Sequence, residues 1–107
     1  MKIYISGPIT GTGDHLERFA AAERQLREKG ACDLINPAEL DRVLNPEKTS
    51  YHDIMAICLK LVDLADMVAL LPGWHHSRGC RMERARALKK RKLVIEFEDL
   101  MKGEIPE

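Results

Sequence analysis

The chain has 107 residues, with 17 Lys and Arg against 17 Asp and Glu. That length fits one domain, and 45% apolar with 32% charged residues suffices for a buried core and is too apolar for a disordered chain. The zero formal net charge leaves no overall field to draw in nucleic acid or an anionic membrane, so any recognition of phosphate is local.

No run of about 18 apolar residues occurs that could cross a bilayer, and the apolar stretch between Lys2 and Gly7 is too short for a secretory signal. A soluble, cytoplasmic protein is expected. Cys32, Cys58 and Cys80 are odd in number and share no CxxC spacing, so three reduced, mostly buried thiols are expected rather than a disulfide framework or a zinc knuckle.

Lys2 to Ser6 reads as a short buried strand, stopped by Gly7-Pro8 and followed by a loop with Gly11 and Gly13. A helix follows, with Asp14 and Glu17 spaced as a capping box and an apolar stripe of Leu16, Phe19, Ala20 and Leu26, ending at Gly30. Residues 32–35 can form a second strand, leading through Asn36-Pro37 into a polar connection up to Thr49. Ser50 then caps a second helix whose core-facing stripe is Tyr51, Ile54, Met55, Cys58, Leu61, Val62 and Ala65. The continuous apolar run 67–71 fits a central parallel strand covered on both faces. After Pro72-Gly73 and a short loop, a third helix from about Gly79 to Lys89 and a fourth strand over 93–97 complete the pattern, and a charged tail forms a short helix or an extended end.

The order β-α-β-α-β-α-β predicts a single α/β domain over 1–107, flavodoxin- or Rossmann-like, with a parallel sheet of four or five strands and helices on both faces. Ligands in such sheets sit beyond the carboxyl ends of the strands, where the strand order switches. Two segments that follow strands, 7–13 and 72–79, carry richer loop chemistry than a connection needs. The first has glycines that let backbone approach a ligand, with hydroxyls at hand, yet it is neither a GxGxxG fingerprint nor a Walker loop. In the second, Ser77 and Gly79 open a helix, a place for an anion or a ribose hydroxyl, and Glu83 lies one turn in.

Gly79, Glu83 and Ala87 fall at i, i+4 and i+8, so the carboxylate rises from a stripe of small residues. It is either a nucleophile or base partly removed from water, or a surface partner of Arg86 or Arg78. Trp74 either stacks on a base or anchors its loop. His75, His76 and Cys80 lack the second close pair that a tetrahedral metal site needs, so neither metal nor cofactor is expected. The basic run 89–92 sits at a helix end, where cations complement the macrodipole.

These residues resemble a family. The run 3–11 (Ile-Tyr-Ile-Ser-Gly-Pro-Ile-Thr-Gly), then Ile-Asn-Pro, Ala-Asp-Met-Val-Ala-Leu-Leu and Ser-Arg-Gly-Cys-Arg-Met-Glu, is similar to the nucleoside 2-deoxyribosyltransferase-like superfamily. That superfamily includes deoxynucleoside monophosphate N-glycosidases, and the resemblance is closest to a small phage and bacterial subgroup of unknown function. It implies that Glu83 attacks the anomeric carbon to give a glycosyl-enzyme in a retaining mechanism, with Tyr4 beside it. Gly7, Ile9 and Thr10 would line the sugar or base pocket, and Ser77 with Gly79 would take a 5'-hydroxyl or phosphate. Asp66, in the Ala-Asp pair before the third strand, would be either a binding or a structural residue. The aspartate that protonates the leaving base in these enzymes falls on Cys58 here, and a thiol with a pKa of about 8.5 is a poor substitute.

The resemblance leaves two functions open: an enzyme that cleaves or exchanges a nucleoside or nucleotide N-glycosidic bond, or a non-catalytic module that holds a nucleotide or nucleotide-derived signal. A sheet this small covers its faces incompletely, and the resemblance implies dimers or larger assemblies, so a homo-oligomer on two-fold symmetry is expected.

Overall fold

Alternation along the first strand sets the architecture. In β1 (Lys2–Ser6) Ile3 and Ile5 point to one side of the sheet and Tyr4 and Ser6 to the other, and all four are fully buried. The computed structural model describes residues 1–9 and 13–106. Among these, β1 pairs in parallel with β2 (Asp33–Ile35) and β3 (Met67–Leu70), and β3 pairs with β4 (Leu93–Glu96), giving the order β2-β1-β3-β4. The protein is an α/β domain with one four-stranded parallel sheet.

Helix α1 (His15–Glu28) and the short α4 (Phe97–Lys102) cover the Ile3 and Ile5 face, where Phe19, Ala22, Leu26, Met67, Ala69, Leu71 and Leu100 close an apolar core. Helices α2 (Tyr51–Leu64) and α3 (Arg78–Lys89) cover the other face through Cys58, Val62, Ala65, Val68, Leu70 and Ala87. The chain therefore leaves β1 toward one face and β3 toward the other, and the crevice between them lies at the carboxyl ends of the two central strands. Arg86 of α3 reaches α2 through a two-pronged pair with Asp63, with Nε at 2.8 Å and Nη2 at 2.6 Å. The hydrogen bonds from Arg86 hold the Asp63 carboxyl below the usual carboxylate range.

The α2 cap is as the sequence predicts, and α3 starts one residue earlier than expected, at Arg78, with Ser77 as its cap. Ser50 accepts from the Asp53 amide at 3.1 Å and Ser77 from the Cys80 amide at 3.2 Å. Asp14 differs: it stands at the start of α1 without capping it, because its carboxylate takes the Arg18 guanidinium at 2.9 Å instead. The buried stripe of α1 is Phe19, Ala22 and Leu26, whereas Leu16 and Ala20 of the expected stripe are exposed. The connection after β2 is not featureless, since Asn36 accepts from the Ala38 amide at 3.0 Å and starts a 3-10 helix over Pro37–Arg42. Cys58 and Cys80 are buried, whereas Cys32 is exposed. No helix among the described residues is long and apolar enough to cross a membrane.

Candidate active site

Period-two alternation brings two hydroxyls of one strand face to the same carboxylate. The Tyr4 hydroxyl donates to Glu83 Oε2 at 2.5 Å and the Ser6 hydroxyl to Oε1 at 2.7 Å. Glu83 is in the second turn of α3 and only 6% exposed. Burial raises its pKa from 4.5 to about 7, while the two donated hydrogen bonds hold it from rising further. Burial also lifts Tyr4 well above its usual value, and the Glu83 charge adds to that.

The carboxylate faces a cavity of about 520 Å³ at the carboxyl end of β1, between α2 and α3. Its floor carries Tyr4, Glu83, Cys58 and Cys80; its walls are Gly7, Ile9, Pro37, Ile54 and Met55; its mouth carries Tyr51, His76, Ser77, Arg78 and Gly79. Desolvation pushes the Cys58 thiol up to about 11, against the lowering effect of its hydrogen bond with Tyr4. Cys80 is likewise raised by burial, opposed by contacts with Ser6 and Ser77. A second, open groove of about 490 Å³ runs along α1 among Glu23, Arg24, Arg27 and Glu28, away from the strand ends.

Two glycines permit this closeness. A Cβ on Gly7 would lie 2.7 Å from Leu71 Cδ1, so the loop after β1 is seated directly on the core. A Cβ on Gly79 would lie 3.3 Å from Met55 Sδ, so α3 packs tightly on α2 at the mouth.

Tyr4, Gly7, Ile9, Ser77, Gly79 and Glu83 are thus brought to one pocket, as the sequence leads one to expect. Thr10 lies outside the described residues. The surface alternative for Glu83 is corrected: the carboxylate is buried, and Arg86 is occupied by Asp63. Asp66 is also corrected. It precedes β3 at the amino edge of the sheet, opposite the pocket, where its carboxylate accepts from the Lys2 amide at 2.8 Å and so ties β1 to β3. Trp74 does not line the pocket. Its indole lies 3.9 Å from the His75 ring, donates to Glu96 at 3.3 Å and has the Arg84 guanidinium above it, which makes it a loop anchor.

Sequence reasoning did not single out Ser6 or Cys80 as site residues. Ser6 was accessible in principle, because a serine two residues from Tyr4 on a buried strand shares its face and needs a polar partner. Among the described residues no group of three or more His, Cys, Asp and Glu side chains is placed to hold a metal ion.

A family model described as Domain of unknown function (DUF4406) matches residues 1–96. The chain belongs to this family. The DUF4406 match takes in all four strands and every residue of the Glu83 pocket, and it ends where α4 begins. No curated protein matches the chain.

Proposed function

We propose that this DUF4406 protein cleaves or exchanges the N-glycosidic bond of a nucleoside or nucleotide, with Glu83 as nucleophile. The observation that carries this reading is a buried carboxylate at the floor of a nucleoside-sized cavity, held by two hydroxyl donors with no ion pair found to it among the described residues. In the reaction one Glu83 oxygen bonds to the anomeric carbon as the C1'–N bond breaks with its electron pair staying on the base, a neutral base taking up a proton as it leaves; water, losing a proton, or a second base then displaces Glu83 from C1' and restores the carboxylate. Tyr4 and Ser6 fix the carboxylate in position, which limits the motion needed to reach the transition state. Ser77, already committed to capping α3, offers its remaining hydroxyl capacity at the mouth beside Gly79 and Arg78, where a 5'-hydroxyl or phosphate would lie.

The test is incubation with a panel of deoxynucleosides and their 5'-monophosphates, following free base by chromatography. Base release supports the proposal, and its absence across the panel counts against it. Cys58, at the position of the acid in the enzymes the sequence resembles, favours a second reading, a module that binds a nucleotide signal without turnover. Thermal stabilisation by a ligand that is never cleaved would support that one.

The homo-oligomer belongs to the same proposal. Ile57, Leu64 and Val43 are exposed apolar side chains, Ile57 and Leu64 on α2, and Tyr51 and Ile9 are exposed at the pocket itself. Light scattering at micromolar concentration tests it, and a monomer would refute it. A cytoplasmic location is part of this proposal, since nucleotide substrates are found there.

A further inference from the structure

Glu83 is the one carboxylate that lines the pocket among the described residues. A neutral base leaving C1' needs a proton, and glycosidases supply one from a second carboxyl group. Around Glu83 the groups are Tyr4 and Ser6, with Cys58 beside Tyr4 and Cys80 beside Ser6. These are hydroxyls and thiols, all weak acids, and burial makes Tyr4 and both thiols weaker still. His76, Arg78 and Tyr51 are exposed at the mouth, and Arg18 is held by Asp14 and the Pro8 carbonyl.

Charge supplies a second, independent observation. A buried anion costs several kcal/mol unless a counter-charge meets it, yet Glu83 accepts only from two neutral hydroxyls, and no salt bridge to it is found among the described residues. Once Glu83 is ionised, as attack on C1' requires, the floor of the cavity is therefore complementary to a cation. Its walls of Ile54, Met55 and Pro37 offer an apolar, sulfur-bearing surface that suits a flat ring.

Resting on the glycosidase reading above, we propose that the pocket takes N-glycosides whose leaving ring is already cationic, a pyridinium riboside or its 5'-phosphate. The C1'–N bond breaks and its electron pair stays on the ring nitrogen, which cancels the positive charge, so the ring leaves neutral without a proton. A Glu83 oxygen bonds to C1' in the same step. Water then attacks C1', the ester C–O bond breaks to restore the carboxylate, the new hydroxyl stays on the sugar, and one proton passes to solvent.

The experiment uses the full chain with nicotinamide riboside and its 5'-monophosphate beside deoxyadenosine, deoxycytidine and their 5'-monophosphates, with Glu83→Gln as the blank for spontaneous hydrolysis. Nicotinamide release is expected to exceed adenine or cytosine release by about 100-fold or more, the range a general acid is worth. Cys58→Asp, which adds a carboxyl group, should narrow that ratio by raising release of the neutral bases. Neutral bases released by the wild type as fast as nicotinamide, or faster, would overturn the cationic preference and leave the glycosidase reading standing. Release of no base from any compound above the blank would overturn both.

Discussion

On the face covered by α1 and α4, β1 presents Ile3 and Ile5 to Phe19, Leu26 and Leu71; on the opposite face the same strand presents Tyr4 and Ser6 to Glu83, with Cys58 and Cys80 alongside. Backbone, register and degree of burial are shared, so the difference lies in the side chains alone. The first face is closed by dispersion and apolar burial. The second keeps a carboxylate out of water in a cavity, an arrangement that stability does not require and that chemistry can use.

Glu83→Gln is the sharpest way to separate the two faces. It keeps shape and hydrogen-bonding capacity but removes the attacking charge, so turnover should fall by about three orders of magnitude or more, about 4 kcal/mol of barrier, while binding of a nucleoside with a neutral base survives. Single-turnover base release beside a binding titration measures both. Equal release rates in the two proteins would end the assignment of Glu83 as nucleophile.

Leu26→Ala should do the reverse. This fully buried side chain belongs to the α1 face and does not line the pocket, so denaturant melts should show a loss of about 2–5 kcal/mol. Ligand affinity measured well below the melting temperature should be unchanged. A weakened affinity at that site would mean the faces are not independent.

The pH dependence of stability should also be confined to the Glu83 face. Its folded pKa of about 7 lies above the ordinary 4.5, so the folded state retains a proton that the unfolded chain releases. The stabilisation from that proton is full below 4.5 and is lost as pH rises to 7, a change of about 3 kcal/mol. Comparing wild type with Glu83→Gln across that window isolates it, and parallel stability curves would show that Glu83 does not titrate there.

Tyr4→Phe should have the smallest effect of the four. Removing the hydroxyl takes away a hydrogen bond to a charged group worth about 1.5–3 kcal/mol, which moves the Glu83 titration upward by about one unit or more. The rising limb of a pH-rate profile should shift the same way. A downward shift would mean that Tyr4 does not stabilise the carboxylate.

How far each feature could be foreseen follows from whether its cause is local. The Ser50 cap and the apolar run of β3 depend on neighbours in sequence, and both are where the residues indicate. The i, i+4, i+8 stripe of small residues in α3 is likewise local in origin, and at Gly79 it lies close against Met55. Asp14 was misleading because Arg18, four residues on, competes for its carboxylate. Whether Glu83 met a surface arginine depended on Asp63 taking Arg86, which lies 23 residues further along the chain, and the role of Asp66 depended on which edge of the sheet it occupied. Those are tertiary facts, and no local pattern carries them.

The Asp63–Arg86 pair has a mechanical consequence. It ties α2 near its carboxyl end to the second half of α3, while the cavity opens between the amino-terminal turns of the same two helices. The pair of helices is a pair of tongs riveted at the far end. At the open end the jaws touch through the Met55 thioether against Gly79, and Arg78 rides over the Tyr51 ring at 6.0 Å. Rotation about a few thioether and guanidinium bonds at the tips would widen the mouth, while the floor that holds Glu83 stays where the strand put it.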